Sequence, residues 1–151
     1  ALAAVVSFNA DSAVVVDLTG DKAALASGLD GIRNRELTRI HLGLATAHAL
    51  LRGARRVADH TPVVVMLTDG RSNPDPVERA LEAADALKHD GISVFTVGLG
   101  DDVELAALRR MAPRPEDFRW APDGEDLGPI YEAIAREIPC PPSAYWPRRQ
   151  P

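Results

Sequence analysis

A single cysteine, Cys140, leaves this 151-residue chain without an internal disulfide, so its fold must be held by its core. Apolar runs are short: none approaches the ~18–20 residues of a membrane-spanning helix. Basic residues are in deficit, with 17 Lys and Arg against 22 Asp and Glu. The formal net charge of -5 argues against nucleic acid as the main partner, because neutralising phosphates requires a basic face. The arginine pairs Arg55-Arg56, Arg109-Arg110 and Arg148-Arg149 fall near predicted helix ends or in the tail and read as solvated charges. There is no phosphate-cradling Gly-x-x-x-x-Gly-Lys, no Gly-x-Ser-x-Gly elbow and no internal repeat. Gly98-Leu99-Gly100 fails as a dinucleotide loop: Val103 stands at the third glycine position, and Asp101-Asp102 would repel a pyrophosphate. The histidines His41, His48, His60 and His89 are dispersed, without metal-ligand spacing.

What is present is an ordinary soluble composition, 46% apolar and 26% charged, at a length that suits one domain. The chain begins without Met, inside an apolar strand, and is expected to be a piece of a longer protein. Residues 3–8 and 12–18 read as two strands joined by the turn Asn9-Ala10-Asp11. Leu25, Leu29 and Ile32 fall at helical spacing. Ile40, Leu44, Ala47, Leu50, Leu51 and Ala54 mark one face of a longer helix. Val63 to Leu67 is a five-residue apolar run suited to a strand covered on both faces. Asp75, Pro76 and Glu78 predict a capping box opening the next helix, and Asp101 with Glu104 predicts another. Ile92 to Val97 and Phe118 to Trp120 are further strands, and Leu127 to Ile138 carries a clear amphipathic helix. Strand–helix alternation from residue 62 implies right-handed βαβ units and a parallel sheet, with the opening hairpin as a mixed edge. A domain over 1–138 followed by a proline-rich tail or linker at 139–151 is the expected organisation.

Asp69 stands apart from the other acidic residues. Asp75, Asp101 and Asp126 can be explained as helix caps, whereas Gly70 to Pro74 separates Asp69 from the helix that follows. A carboxylate just past the carboxyl end of a parallel strand lies where open α/β sheets bind ligands. Its oxygens suit a hard cation, and a turn role is the alternative.

In four stretches the chain resembles the von Willebrand factor A domain family. They are Val5-Val6-Ser7-Phe8-Asn9, Thr38 to Leu44, Val65-Met66-Leu67-Thr68-Asp69-Gly70, and Gly91 to Gly100, in the family's order and spacing. The resemblance implies a three-layer, doubly wound, mostly parallel α/β sheet with a metal-ion-dependent adhesion site at its top. In that family Mg²⁺ (or Mn²⁺ or Ca²⁺) is held by an Asp-x-Ser-x-Ser stretch, a Thr from a second loop and an Asp from a third. Thr38 and Asp69 match the last two. Asp-x-Ser-x-Ser occurs nowhere in the chain, which opens at what resembles the family's second strand. The expected fold is therefore an amino-terminally truncated one, lacking its first, central strand. Weak metal binding or none is expected of these residues alone. The chain also has Arg35-Glu36-Leu37 where the family often carries glycines.

The function so implied is a non-enzymatic, adhesion-type module that takes an acidic side chain of a protein partner through a divalent cation. Arg71 and Ser72 are close enough in sequence to Asp69 to contact that partner. An extracellular or cell-surface setting is implied, with a cytoplasmic one left open. Cys140, flanked by prolines, reads as a free thiol or as paired outside this segment. By the resemblance it would pair with a cysteine upstream of the absent strand. One alternative is a scaffold domain of the same fold that never binds metal. A hydrolase or phosphotransfer domain with Asp69 as nucleophile is another, and it lacks a recognisable lysine or second acidic cluster nearby.

Overall fold

The computed structural model describes residues 1–33, 36–53 and 60–138. Cys140, the tail at 139–151, Arg35, Ala54 and the Arg55-Arg56 pair lie outside the described residues. The chain opens with the strands β1 (Ala3–Phe8) and β2 (Ser12–Thr19), then the helices α1 (Lys22–Asp30) and α2 (Ile40–Arg52). β3 (Val63–Thr68), α3 (Val77–His89), β4 (Ser93–Leu99), α4 (Leu105–Met111), β5 (Phe118–Ala121) and α5 (Leu127–Glu137) follow in alternation.

β3, β4 and β5 form a parallel sheet in that order, with Val63 opposite Ser93 and Thr96 opposite Phe118. Alternation along β3 sends Val64 and Met66 to a core shared with Ile40 and Leu44 of α2, Leu81 and Leu87 of α3, and Leu108 and Met111 of α4. Val63, Val65 and Leu67 point the other way, against Phe95, Val97 and the Ile134 side of α5. Helices thus cover both faces of the sheet, the three-layer arrangement that the strand–helix alternation implies. Strand pleat explains it: neighbouring residues on a strand serve opposite layers.

The opening hairpin is a sheet of its own rather than a mixed edge of the parallel one. β1 pairs antiparallel with β2 alone, from Val5 opposite Val16 to Phe8 opposite Ser12, with register irregularities between Ala3 and Val6. Among the described residues no ladder joins either hairpin strand to β3, so β1 and β3 each have a single hydrogen-bonded neighbour. Side chains hold the hairpin instead. Phe8 packs on the main core beside α2, and Gly43 makes the approach close: a Cβ there would lie 2.6 Å from Phe8 Cδ1.

Two predicted caps are corrected. α3 begins after Pro76, whose backbone is extended, and no side chain caps it. The Asp75 carboxylate is taken by two guanidiniums, Arg39 at 3.3 Å and Arg79 at 3.0 Å, which attract it more strongly than neutral helix amides. α4 begins after Glu104, again without a side-chain cap, because Val103 is drawn into the core and Asp102 faces Arg71. A capping box does occur one strand later. Asp123 accepts from the Glu125 N–H at 2.8 Å and Asp126 from the Asp123 N–H, closing a short 3₁₀ turn ahead of α5. Asp126 sits at the α5 N-cap position, but its carboxylate serves that turn and not the helix. Asp21, unread in the sequence, caps α1 through the Ala23 and Ala24 N–H groups.

The end of α3 is tied to α2 by charge. Asp90 takes the His48 ring nitrogen at 2.7 Å, with Arg52 at 3.5 Å. The hydrogen bond from His48, helped by the charges of Arg52, His48 and His89, holds the Asp90 carboxyl below its ordinary range.

Two outcomes follow for stability. Gly43→Ala should cost about 1–3 kcal/mol by overpacking against Phe8, while Gly128→Ala, which meets nothing within 4 Å, should cost nothing and gain up to about 1 kcal/mol; denaturant midpoints check both. Because Asp90 is depressed in the fold, its contribution is complete above the unfolded carboxylate pKa of about 3.9 and fades as pH falls below it. The midpoint gap between wild type and Asp90→Asn should therefore shrink as pH falls below about 4.

Candidate functional site

The carboxyl edge of the parallel sheet is built from the loops that leave β3, β4 and β5. Thr68, the last residue of β3, is buried and shapes the first of these loops. Its Oγ1 accepts from the Gly70 N–H at 3.2 Å and donates to the Gly70 carbonyl at 3.0 Å. This local ring leaves Asp69 at the outside of the turn. The Asp69 side chain is exposed, and among the described residues nothing pairs with its carboxylate.

Thr38 arrives from a different part of the chain. Its N–H donates to the Asn73 carbonyl at 2.9 Å, and the Asn73 N–H returns to the Thr38 carbonyl at 3.0 Å, an isolated antiparallel bridge. That bridge lays the Thr38 hydroxyl over Gly70, where a Cβ would stand 3.2 Å from Thr38 Oγ1. A glycine after Asp69 is what gives the hydroxyl its room. The residue before Thr38, Leu37, adopts φ = 76°, a left-handed conformation uncommon for a branched side chain. The glycine-like geometry is thus kept at a position that carries leucine. On the other side, the Arg39 N–H donates to the Asn9 carbonyl in the hairpin turn at 3.0 Å. Residues 38–39 therefore strap the turn after β1 to the loop after β3.

The structure brings Thr38 and the Asp69–Gly70 turn together on one edge. Arg71 lies on the exposed rim and reaches Asp102 in the loop after β4, Nε to Oδ1 at 3.5 Å. Ser72 is turned inward, half-buried, and donates to the Asp75 carbonyl at 3.0 Å. Trp120, 43% exposed, closes the far end of the edge with its indole N–H on the Gly100 carbonyl at 2.9 Å. Thr68, Asn73, Arg39 and Asp75 shape the site and were not read as such. Only Thr68 had a local signal, a hydroxyl two residues before a glycine.

A hydroxyl and a carboxylate are the donors a hard divalent ion takes, and the glycine cradle leaves them space. Their number is short, since such an ion holds about six ligands. Among the described residues no group of three or more His, Cys, Asp or Glu could hold a metal. No helix among them is long and apolar enough to cross a membrane.

Comparison with known proteins gives a consistent picture. Residues 2–132 match the von Willebrand factor type A domain profile. The collagen alpha-6(VI) chain of Mus musculus is 31% identical over 88 residues, 57% of this chain and 4% of that one. Among solved structures, proximal thread matrix protein 1 from the mussel byssus, with a zinc-occupied MIDAS motif, superposes with a TM-score of 0.75 at 22% identity, covering 89% of this chain and 34% of that one. The vWF domain of the type V pili tip protein Mfa5 from Porphyromonas gingivalis gives 0.75 at 14% identity, covering 92% and 81%. The chain thus spans a small part of the collagen chain and about a third of the mussel protein.

Strain at Leu37 gives a local test. A left-handed non-glycine residue costs about 1–2 kcal/mol, and a glycine costs about 0.5–1 kcal/mol in unfolded-chain entropy. Leu37→Gly should leave the denaturation midpoint unchanged or slightly raised, whereas the β-branched Leu37→Val should lower it.

Proposed function

The chain belongs to the von Willebrand factor type A domain family, and on that premise we propose that it is a non-enzymatic protein-interaction module of the adhesion type. Its partner surface is the carboxyl edge of the parallel sheet, and the partner presents an acidic side chain. Thr38 and Asp69 hold a divalent cation, Mg²⁺ or in its place Mn²⁺ or Ca²⁺. The ion supplies a positive charge with an open position that a partner carboxylate fills. Arg71 adds a cationic contact on the rim, and Ser72 lines the same loop. The observation that carries this reading is the Thr38 hydroxyl lying over Gly70 beside an exposed Asp69 carboxylate without a partner among the described residues.

Other features support it. Cavities of about 250 Å³ and 260 Å³ lie beside Arg109–Pro115 and beside Leu51, Arg52, Asp90 and Ile92, and neither includes Asp69. An exposed edge suits docking to a macromolecule better than enclosure of a small substrate. A zinc-occupied MIDAS motif in the mussel protein supports a cation at the corresponding edge here. Relatives named as a collagen chain, a byssal thread matrix protein and a pilus tip protein support an extracellular or cell-surface setting. The second reading is a scaffold of the same fold that uses no metal. It is favoured by the absence of a three-member ligand cluster among the described residues.

Mn²⁺ titration followed by NMR separates the two. With two protein donors, binding should be weak, on the order of millimolar. Amide signals of Thr38, Asp69 and Gly70 should broaden before those of other acidic loops, and Asp69→Ala should remove that effect while leaving the fold intact. Equal broadening at Asp101–Asp102 and Asp123–Asp126, unaffected by Asp69→Ala, would leave the scaffold reading standing.

A further inference from the structure

Thr38 lies outside the strands and helices, just ahead of α2, and is held by main-chain contacts. The backbone bridge to Asn73 places it, and one side-chain pair lies directly beside that bridge. Arg39 follows Thr38, Asp75 is two residues beyond Asn73, and their Nε and Oδ2 atoms approach to 3.3 Å. Both atoms are shut off from solvent, and neither has a hydrogen-bond partner among the described residues. The Asp75 side chain is only 13% exposed. The Arg39 side chain is 35% exposed, but its Nε and the Asp75 Oδ2 are cut off from water, and each of these two buried atoms has the opposite charge of the other at 3.3 Å. Arg79, the second guanidinium on Asp75, is 59% exposed and bonds the other oxygen, Oδ1, within the first turn of α3. The two arginines therefore divide the work. Arg79 joins Asp75 to its own helix, whereas Arg39 joins it to the strap that carries Thr38.

From this division we infer that Arg39 and Asp75 are positioning residues that hold the Thr38 hydroxyl over the Asp69 turn and so set the geometry of the cation site. The inference deepens the proposed cation-dependent function and rests on it for its consequence, although the placement of Thr38 can be read without any metal. Arg39 lacks the usual use of its position. It is the N-cap residue of α2, where a guanidinium, having donors and no acceptor, cannot cap the helix amides. The side chain spans instead to a loop more than thirty residues away, the loop that follows β3. Arg39 is also where the strap meets the hairpin, through its N–H on Asn9. Loss of its charge would free the strap on the β3 side while leaving the hairpin contact in place.

Hydrogen exchange and Mn²⁺ broadening, measured on the full chain by NMR, test this together. In Arg39→Met, which keeps the aliphatic stem, exchange at the Thr38 and Asn73 amides should speed at least tenfold, with Val94 and Val97 in β4 unchanged. Mn²⁺ broadening at Asp69 and Gly70 should weaken several-fold in the same variant. Arg79→Ala should do neither, although it also takes a partner from Asp75. Asp75→Asn should repeat the Arg39→Met result, and Arg39→Lys should restore part of it. Unchanged exchange in Arg39→Met overturns the inference, as does faster exchange with undiminished broadening, since the pair would then be structural only. Equal effects from Arg79→Ala also overturn it. Absence of site broadening in the wild type is a separate failure, of the cation reading itself; the exchange comparison then still decides whether the pair places Thr38.

Discussion

Two sheets that share no backbone ladder among the described residues are joined by the strap at residues 38–39, and the candidate site depends on it. Arg39 binds the turn after β1 and Thr38 binds the loop after β3, each through main-chain hydrogen bonds. Without those bonds the Thr38 hydroxyl would have no fixed relation to Asp69. Backbone hydrogen bonds alone are modest in net energy, about 0.5–1.5 kcal/mol each. Packing below the strap supplies the rest: Phe8 against Gly43, and Ile40 and Leu44 against the Val64 and Met66 face of β3.

The site itself is polar and half open, and each of its features has a physical origin nearby. Thr68 turns the chain sharply enough to leave Asp69 outside. Gly70 gives up a side chain so that Thr38 can approach. Leu37 accepts a backbone conformation that leucine rarely takes, which is the kind of strain a surrounding structure must impose. Farther along the edge, Arg71 and Asp102 meet across two loops and Trp120 lies on Gly100. These are exposed, and exposed ion pairs contribute little to stability. Their place is at a surface that a partner can reach.

Much of the fold was legible because periodicity reports it directly. The apolar run at 63–67, the alternation with helices after it and the stripe from Leu127 to Ile138 specify a covered parallel sheet. The place of Asp69 just past the carboxyl end of that strand was legible for the same reason. The caps were misread at Asp75 and Asp101 because other contacts compete with capping: Arg39 and Arg79 take the Asp75 carboxylate, and burial of Val103 moves the start of α4. Nothing local in Leu37 announces its positive φ. The bridge between Thr38 and Asn73 was equally hidden, being made by main-chain atoms that carry no residue signature. The separation of the hairpin from the parallel sheet depends on pairing across the fold, which strand propensity does not encode.

The most direct test of a cation held between two turns is anomalous diffraction from crystals of this chain soaked in Mn²⁺. A peak beside both Thr38 Oγ1 and the Asp69 carboxylate, at coordination distances of about 2.1–2.2 Å or one water removed, is the predicted result. Peaks confined to Asp101–Asp102 or Asp123–Asp126, with none beside Asp69, would contradict it.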